Sequence, residues 1–70
     1  MNWSPRDYDR LERAITERRR IQLVRGGSEI TLMPDRLRVE YGEEVLVARH
    51  PNTGDRLELP LVEIDRFDVV

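Results

Sequence analysis

Seventy residues without a cysteine make one small domain, 1–70, that can call on neither disulfides nor thiolate metal sites. A chain this short buries only about 60% of the surface its unfolded form exposes, so its core is small. Fourteen acidic residues face twelve arginines, with no lysine, for a formal net charge of −2; this argues against a domain built to grip phosphates, which shows a basic excess.

The chain opens on a helix-start signature. Ser4 is a good N-cap, and Pro5 stands at the first helical position, where its missing N–H costs nothing. Asp7 can answer Ser4 in a capping box, and Trp3 and Tyr8 occupy the two positions of a hydrophobic staple. The helix is predicted from Pro5 to about Arg18 or Arg19. Tyr8, Leu11 and Ile15 mark its buried face, with Ala14 at the border. Arg6, Arg10, Arg13 and Glu17 fall opposite, in solvent. Asp9, Glu12 and Thr16 form a third stripe, roughly 60 to 100° from the apolar one, within reach of a partner.

Beyond the helix the hydrophobic period changes from 3.6 to 2. Ile21 and Leu23 of IQLVR point inward, and Gly26-Gly27-Ser28 supplies the positive φ of a hairpin turn. EITLM returns with Ile30 and Leu32 inward, and Pro34-Asp35 breaks or bends that strand. RLRVEY continues the alternation through Leu37, Val39 and Tyr41. Gly42-Glu43-Glu44 reads as the next turn, with the two glutamates at a loop tip. VLVARH is a more continuous apolar strand. A turn at Pro51–Gly54 leads to RLELP, with Leu57 and Leu59 inward and Pro60 interrupting. LVEI reads as one helical turn and IDRFDVV as a last strand. One helix followed by about five bent antiparallel strands must close or fold over on itself to hide its edges. The helix-first order points to a small Sm-like barrel, mainly β, capped by the N-terminal helix.

Little here suggests catalysis. His50, the single histidine, sits beside Pro51 at a turn and reads as a solvent-exposed residue without a partner to make it a base. Ser4 and Ser28 are explained by a cap and a turn. RGGSE lacks a phosphate-loop lysine and precedes a strand where a helix would be required. The carboxylates lack metal-loop spacing. No apolar run approaches membrane-spanning length, and the N-terminus lacks the order of a signal peptide; a cytoplasmic protein without cofactor or metal is expected. Arg18–Arg20 and Arg25 could serve direct RNA binding, although cations at a helix C-terminus are favoured there anyway. Few aromatics remain for a base-stacking platform.

The stretch DYDRLERA, residues 7–14, resembles the opening helix of the Rof (Rho-off) family, small bacterial proteins of Sm-like fold that bind the transcription termination factor Rho and inhibit termination. Asp7, Tyr8, Asp9, Leu11, Glu12 and Ala14 meet every specified position of that family's Asp-Tyr-Asp-x-Leu-Glu-x-Ala pattern. The likeness continues through IQLVRGG, EVLV, and the closing Gly54, Leu59, Leu61, Ile64 and Phe67, so it covers about residues 7–67. It implies a monomeric, non-enzymatic protein that docks on the N-terminal RNA-binding domain of Rho, in competition with RNA. Carried over by motif, Asp7, Tyr8, Asp9 and Glu12 are the contact candidates on the helix, and Glu43 and Glu44 those of a loop. The alternatives are an RNA-binding Sm-like module or an interaction domain for another protein.

Overall fold

A computed structural model describes residues 1–70 and shows a mainly β chain with one helix. Helix α1 (Pro5–Thr16) is followed by β1 (Ile21–Arg25), β2 (Ser28–Glu40), β3 (Glu43–Arg49), β4 (Arg56–Pro60), a 3-10 turn (Leu61–Glu63) and β5 (Arg66–Val69). All neighbouring strands are antiparallel, in the order β4-β3-β2-β1-β5.

Strand β2 is the spine of this sheet. Its first half pairs with β1 through Ser28–Leu32, and its second half pairs with β3 out to the Glu40–Glu43 pair. The register with β3 shifts between Pro34 and Arg36, leaving Asp35 as an extra residue. Such a bulge bends a strand and raises its twist. The predicted break at Pro34-Asp35 is therefore a bend within one 13-residue strand. The sheet does not close, contrary to the expected barrel. The segment between β4 and β5 buries Leu61 and Ile64 in the core instead of forming a hairpin, so these two strands end at opposite edges. Their exposure is tempered by short length, by Arg56, Glu58, Arg66 and Asp68, and by Pro60 at the end of β4.

The core is one cluster built around Leu11, Ala14, Ile21, Leu23, Leu32, Leu46, Leu59, Ile64 and Phe67. Each fully buried Leu, Ile or Phe contributes about 1.5–3 kcal/mol, several times an exposed ion pair at about 0–1 kcal/mol. Val45, Leu46, Val47 and Ala48 are all buried, as their continuous apolar run predicted. Leu46 and Ala48 face the core cluster. Val45 and Val47 take the other face, flanked across the strands by Arg38 with Pro60 and by Arg36 with Glu58. Long side chains can cover apolar neighbours with their stems.

Two expectations fail at the far end of β2. Val39 is 70% exposed and Tyr41 100%, not inward. The β2–β3 hairpin runs on past the last β1 partner at Leu32, so its tip has no core to face. The turn itself is Tyr41-Gly42, both at positive φ (52° and 75°), which places Glu43 and Glu44 on β3 and not in a loop. Gly26 and Gly27 form the other tight hairpin with φ of 56° and 82°. Positive φ at both central residues is the two-residue turn that matches strand twist.

Helix α1 ends at Thr16, two or three residues earlier than predicted. Arg18 turns left-handed at φ 55°, its N–H donating to Ile15 O (3.3 Å) and that of Arg19 to Ala14 O (2.8 Å). This is the Schellman pattern, in which glycine is the usual left-handed residue. Arginine there carries a steric cost that glycine avoids. Arg18→Gly is expected to stabilise the fold by about 0.5–1 kcal/mol, a rise of roughly 2–8 °C in Tm by calorimetry. A lowered Tm would contradict this reading of the helix end.

Candidate functional site

The surface of α1 is positioned from its first residues. The Asp7 N–H donates to Ser4 Oγ (3.2 Å), and the Ser4 N–H and hydroxyl donate to Asp7 Oδ2 (2.9 and 3.0 Å), which completes the capping box. Trp3 and Tyr8 form the staple, with ring centroids 5.4 Å apart. Trp3 also stacks on Phe67 of β5 at 5.2 Å and donates from Nε1 to Leu61 O at 3.1 Å. The N-terminal side of the helix is thus tied to the last strand and to the 3-10 turn. With Leu11 and Ala14 buried, α1 presents one fixed set of side chains to solvent.

The six candidate residues divide into two groups. Asp7, Tyr8 and Glu44 are partly buried and already bonded. Asp7 serves the cap. The Tyr8 hydroxyl donates to Glu44 Oε1 at 2.6 Å, joining the helix to β3. Sequence spacing could not show this pair, since the residues lie 36 positions apart. Asp9, Glu12 and Glu43 are exposed and make neither an ion pair nor a side-chain hydrogen bond within the chain. Nor do Asp9 and Glu12 share one flank. Asp9 borders a groove toward β5, whereas Glu12 borders a shallow depression with Arg36 and Leu37 of β2.

The groove beside Asp9 went unread in the sequence. Arg6, Arg13 and Glu17 are exposed as expected, and with Arg10 and Arg19 they line it over Ala14 and Val69. Arg10 is half-buried: its guanidinium lies 4.9 Å from the Phe67 ring centre and within 3.5 Å of Asp68 and 3.8 Å of Asp7. The helical i, i+4, i+7 spacing of Arg6, Arg10 and Arg13 was legible; that β5 would pack alongside it was not. Of the arginines proposed for RNA, Arg25 pairs with Glu63 at 3.7 Å, and Arg18 to Arg20 are exposed. His50 is half-buried, not exposed, and its backbone closes the Pro51–Gly54 turn through bonds with Asp55 and Gly54. No group of three or more His, Cys, Asp or Glu side chains is placed to hold a metal ion, and no helix is long and apolar enough to cross a membrane. Comparison of the chain with family models, curated proteins and solved structures finds no match.

Two titrating groups report on this arrangement. The Ser4 N–H and then its hydroxyl, helped by Arg10 and Arg6, hold the Asp7 carboxyl below its ordinary 3.8. A depressed carboxyl contributes stability that is present above its unfolded value and is lost as pH falls through the folded one. Asp7→Asn is therefore expected to flatten the acid limb of stability below about pH 4, read as urea midpoints followed by Trp3 fluorescence. An equally steep limb in the variant would count against the cap. The Tyr8 hydroxyl is pushed above its ordinary 10.0, chiefly by its bond to Glu44 and then by burial. A raised value contributes stability that is present below pH 10.0 and lost as pH climbs through the folded value. Tyr8→Phe is expected to remove that alkaline slope in the same titration; a slope unchanged from the parent would show that the Glu44 bond is not made in solution.

Proposed function

We propose that this chain is a Rof-like inhibitor of the transcription termination factor Rho, acting in the cytoplasm by binding and without catalysis. The observation that carries the reading is the agreement of Asp7, Tyr8, Asp9, Leu11, Glu12 and Ala14 with the family's helix pattern, on a helix whose Asp9 and Glu12 carboxylates are exposed and unpaired. The helix-first order and the bulge in β2 between Pro34 and Arg36 support an Sm-like fold, here with an open gap between β4 and β5.

The two groups of residues have different roles in this reading. Leu11 and Ala14 anchor the helix, and Asp7, Tyr8 and Glu44 fix its start and its distance from β3. Asp9, Glu12 and Glu43 are the charges left to meet a partner. A surface that attracts RNA is positive, and an inhibitor that occupies it must present negative charge in competition. Carboxylates on a rigid helix can take bidentate bonds from arginine at little further entropic cost.

The test is a titration of Rho with this protein, followed by displacement of labelled RNA and by RNA-stimulated ATP hydrolysis. A complex at micromolar concentration is expected; its absence sinks the proposal. Asp9→Arg and Glu12→Arg are each expected to weaken binding about tenfold or more, with unchanged circular dichroism, because each turns an attraction into a like-charge repulsion. If both variants bind as the parent does, the contact surface lies elsewhere. A protein that shifts labelled RNA on its own, with strong salt dependence, would favour the RNA-binding alternative instead.

A further inference from the structure

The chain has a net charge of −2, yet the groove between α1 and the end of β5 gathers four arginines, Arg6, Arg10, Arg13 and Arg19, against Asp9 and Glu17. Arg6, Arg13 and Arg19 have no carboxylate within ion-pairing distance. Arg10 is held in place by Asp7, Asp68 and the Phe67 ring, so one guanidinium is oriented before any ligand arrives. The groove is open on one side and offers about 470 Å³, within the range of small-ligand sites. We propose that it binds a small oligophosphate, of the pyrophosphate or nucleoside-polyphosphate class.

The chemistry favours that class over others. Guanidinium forks match phosphate oxygens in a bidentate manner and remain charged at any working pH. Cations spread along a groove suit linked phosphates better than a single small anion, since each phosphate can meet its own fork. The floor offers only Ala14 and Val69 as apolar groups and no aromatic ring. Of the neighbouring aromatics, Trp3 and Phe67 are stacked on each other, and Tyr8 packs on Trp3 with its hydroxyl bonded to Glu44. A single-stranded nucleic acid would need free rings on which to stack its bases. The site thus reads phosphate and not base. The proposal does not depend on the Rho reading and is tested without Rho.

The experiment is a backbone-amide and arginine side-chain NMR titration in chloride buffer, with pyrophosphate, a nucleoside triphosphate, orthophosphate, sulfate and a short single-stranded RNA as separate probes. Saturable shifts at residues 6–19 and Val69 with pyrophosphate at millimolar concentration or below are expected. The triphosphate should bind at least as tightly, and orthophosphate and sulfate clearly more weakly. Arg13→Gln should weaken pyrophosphate about tenfold, from the loss of one charge-assisted contact, while Glu17→Gln should tighten it. Arg10 is left intact in these variants because it also packs on Phe67. Equal shifts with sulfate and pyrophosphate would reduce the site to non-specific ion condensation and overturn the proposal. Tighter saturable binding of the RNA at the same residues would overturn it in favour of nucleic acid, and indifference to Arg13→Gln would overturn its location.

Discussion

The stack of Trp3 on Phe67 ties the start of the helix to the last strand, and the side chains the helix shows to solvent follow from that together with its buried Leu11 and Ala14. These residues come from opposite ends of the chain, and the indole spans three elements at once: it stacks on β5, staples Tyr8 of α1 and donates to the carbonyl of Leu61. An aromatic pair adds about 0.5–1.5 kcal/mol beyond the area it buries, and a partly buried indole N–H needs the acceptor it finds here. The relay continues from Tyr8 to Glu44, so an unbroken line of contacts runs from β5 across the helix start to β3. The exposed ion pairs at 3.5–3.8 Å, such as Arg10–Asp68, could not hold the helix with comparable strength. They adjust side chains on a scaffold that apolar contacts have already fixed.

That scaffold sorts charge in a way the overall balance conceals. On the β2–β4 side, Arg38 meets Glu40 and Glu58 and Arg49 meets Asp35, while Arg36, Arg56 and Glu43 stay unpaired. Along α1 the match is incomplete too. Asp9 and Glu12 stay free on one side of the account, and Arg6, Arg13 and Arg19 on the other. Net charge governs long-range behaviour, but local recognition depends on which charges lack a partner. The slight acidic excess therefore speaks to solubility and approach, and leaves open an arginine-lined groove on the same molecule.

What could be read from the sequence was what depends on near neighbours. The cap at Ser4, the Trp3–Tyr8 staple, the inward faces of β1 and β4 and the buried run of β3 all follow from spacing within a few residues. The failures lie where distant segments meet. A bulge of one residue at Asp35 bends β2, and the length of its pairing with β1 decides that Val39 and Tyr41 leave the core. Gly42 stands in a turn, as a glycine there predicts, but the preceding Tyr41 also takes positive φ, which puts Glu43 and Glu44 in a strand and not in a loop. Among the candidate residues, identity was legible and environment was not. Nothing near Tyr8 in sequence points to Glu44, and nothing near Arg10 points to Phe67.

The open sheet constrains how such a molecule can recognise anything. Strand addition needs a free, flat edge, and both edges here are short and carry charges, with Pro60 closing β4. A helix laid in a groove needs an apolar stripe, but the stripe of α1 is spent on Leu11, Ala14 and their neighbours. What remains on offer is the polar girdle of the helix, rigidly held and incompletely neutralised. Recognition through such a surface rests on electrostatic complementarity, which acts on the rate of encounter and on the choice of partner more than on raw affinity. It also weakens as salt shortens the Debye length to about 8 Å under physiological conditions. With charges of both signs unpaired along one helix, the surface favours partners that carry a definite pattern of charge over those that merely carry a large one.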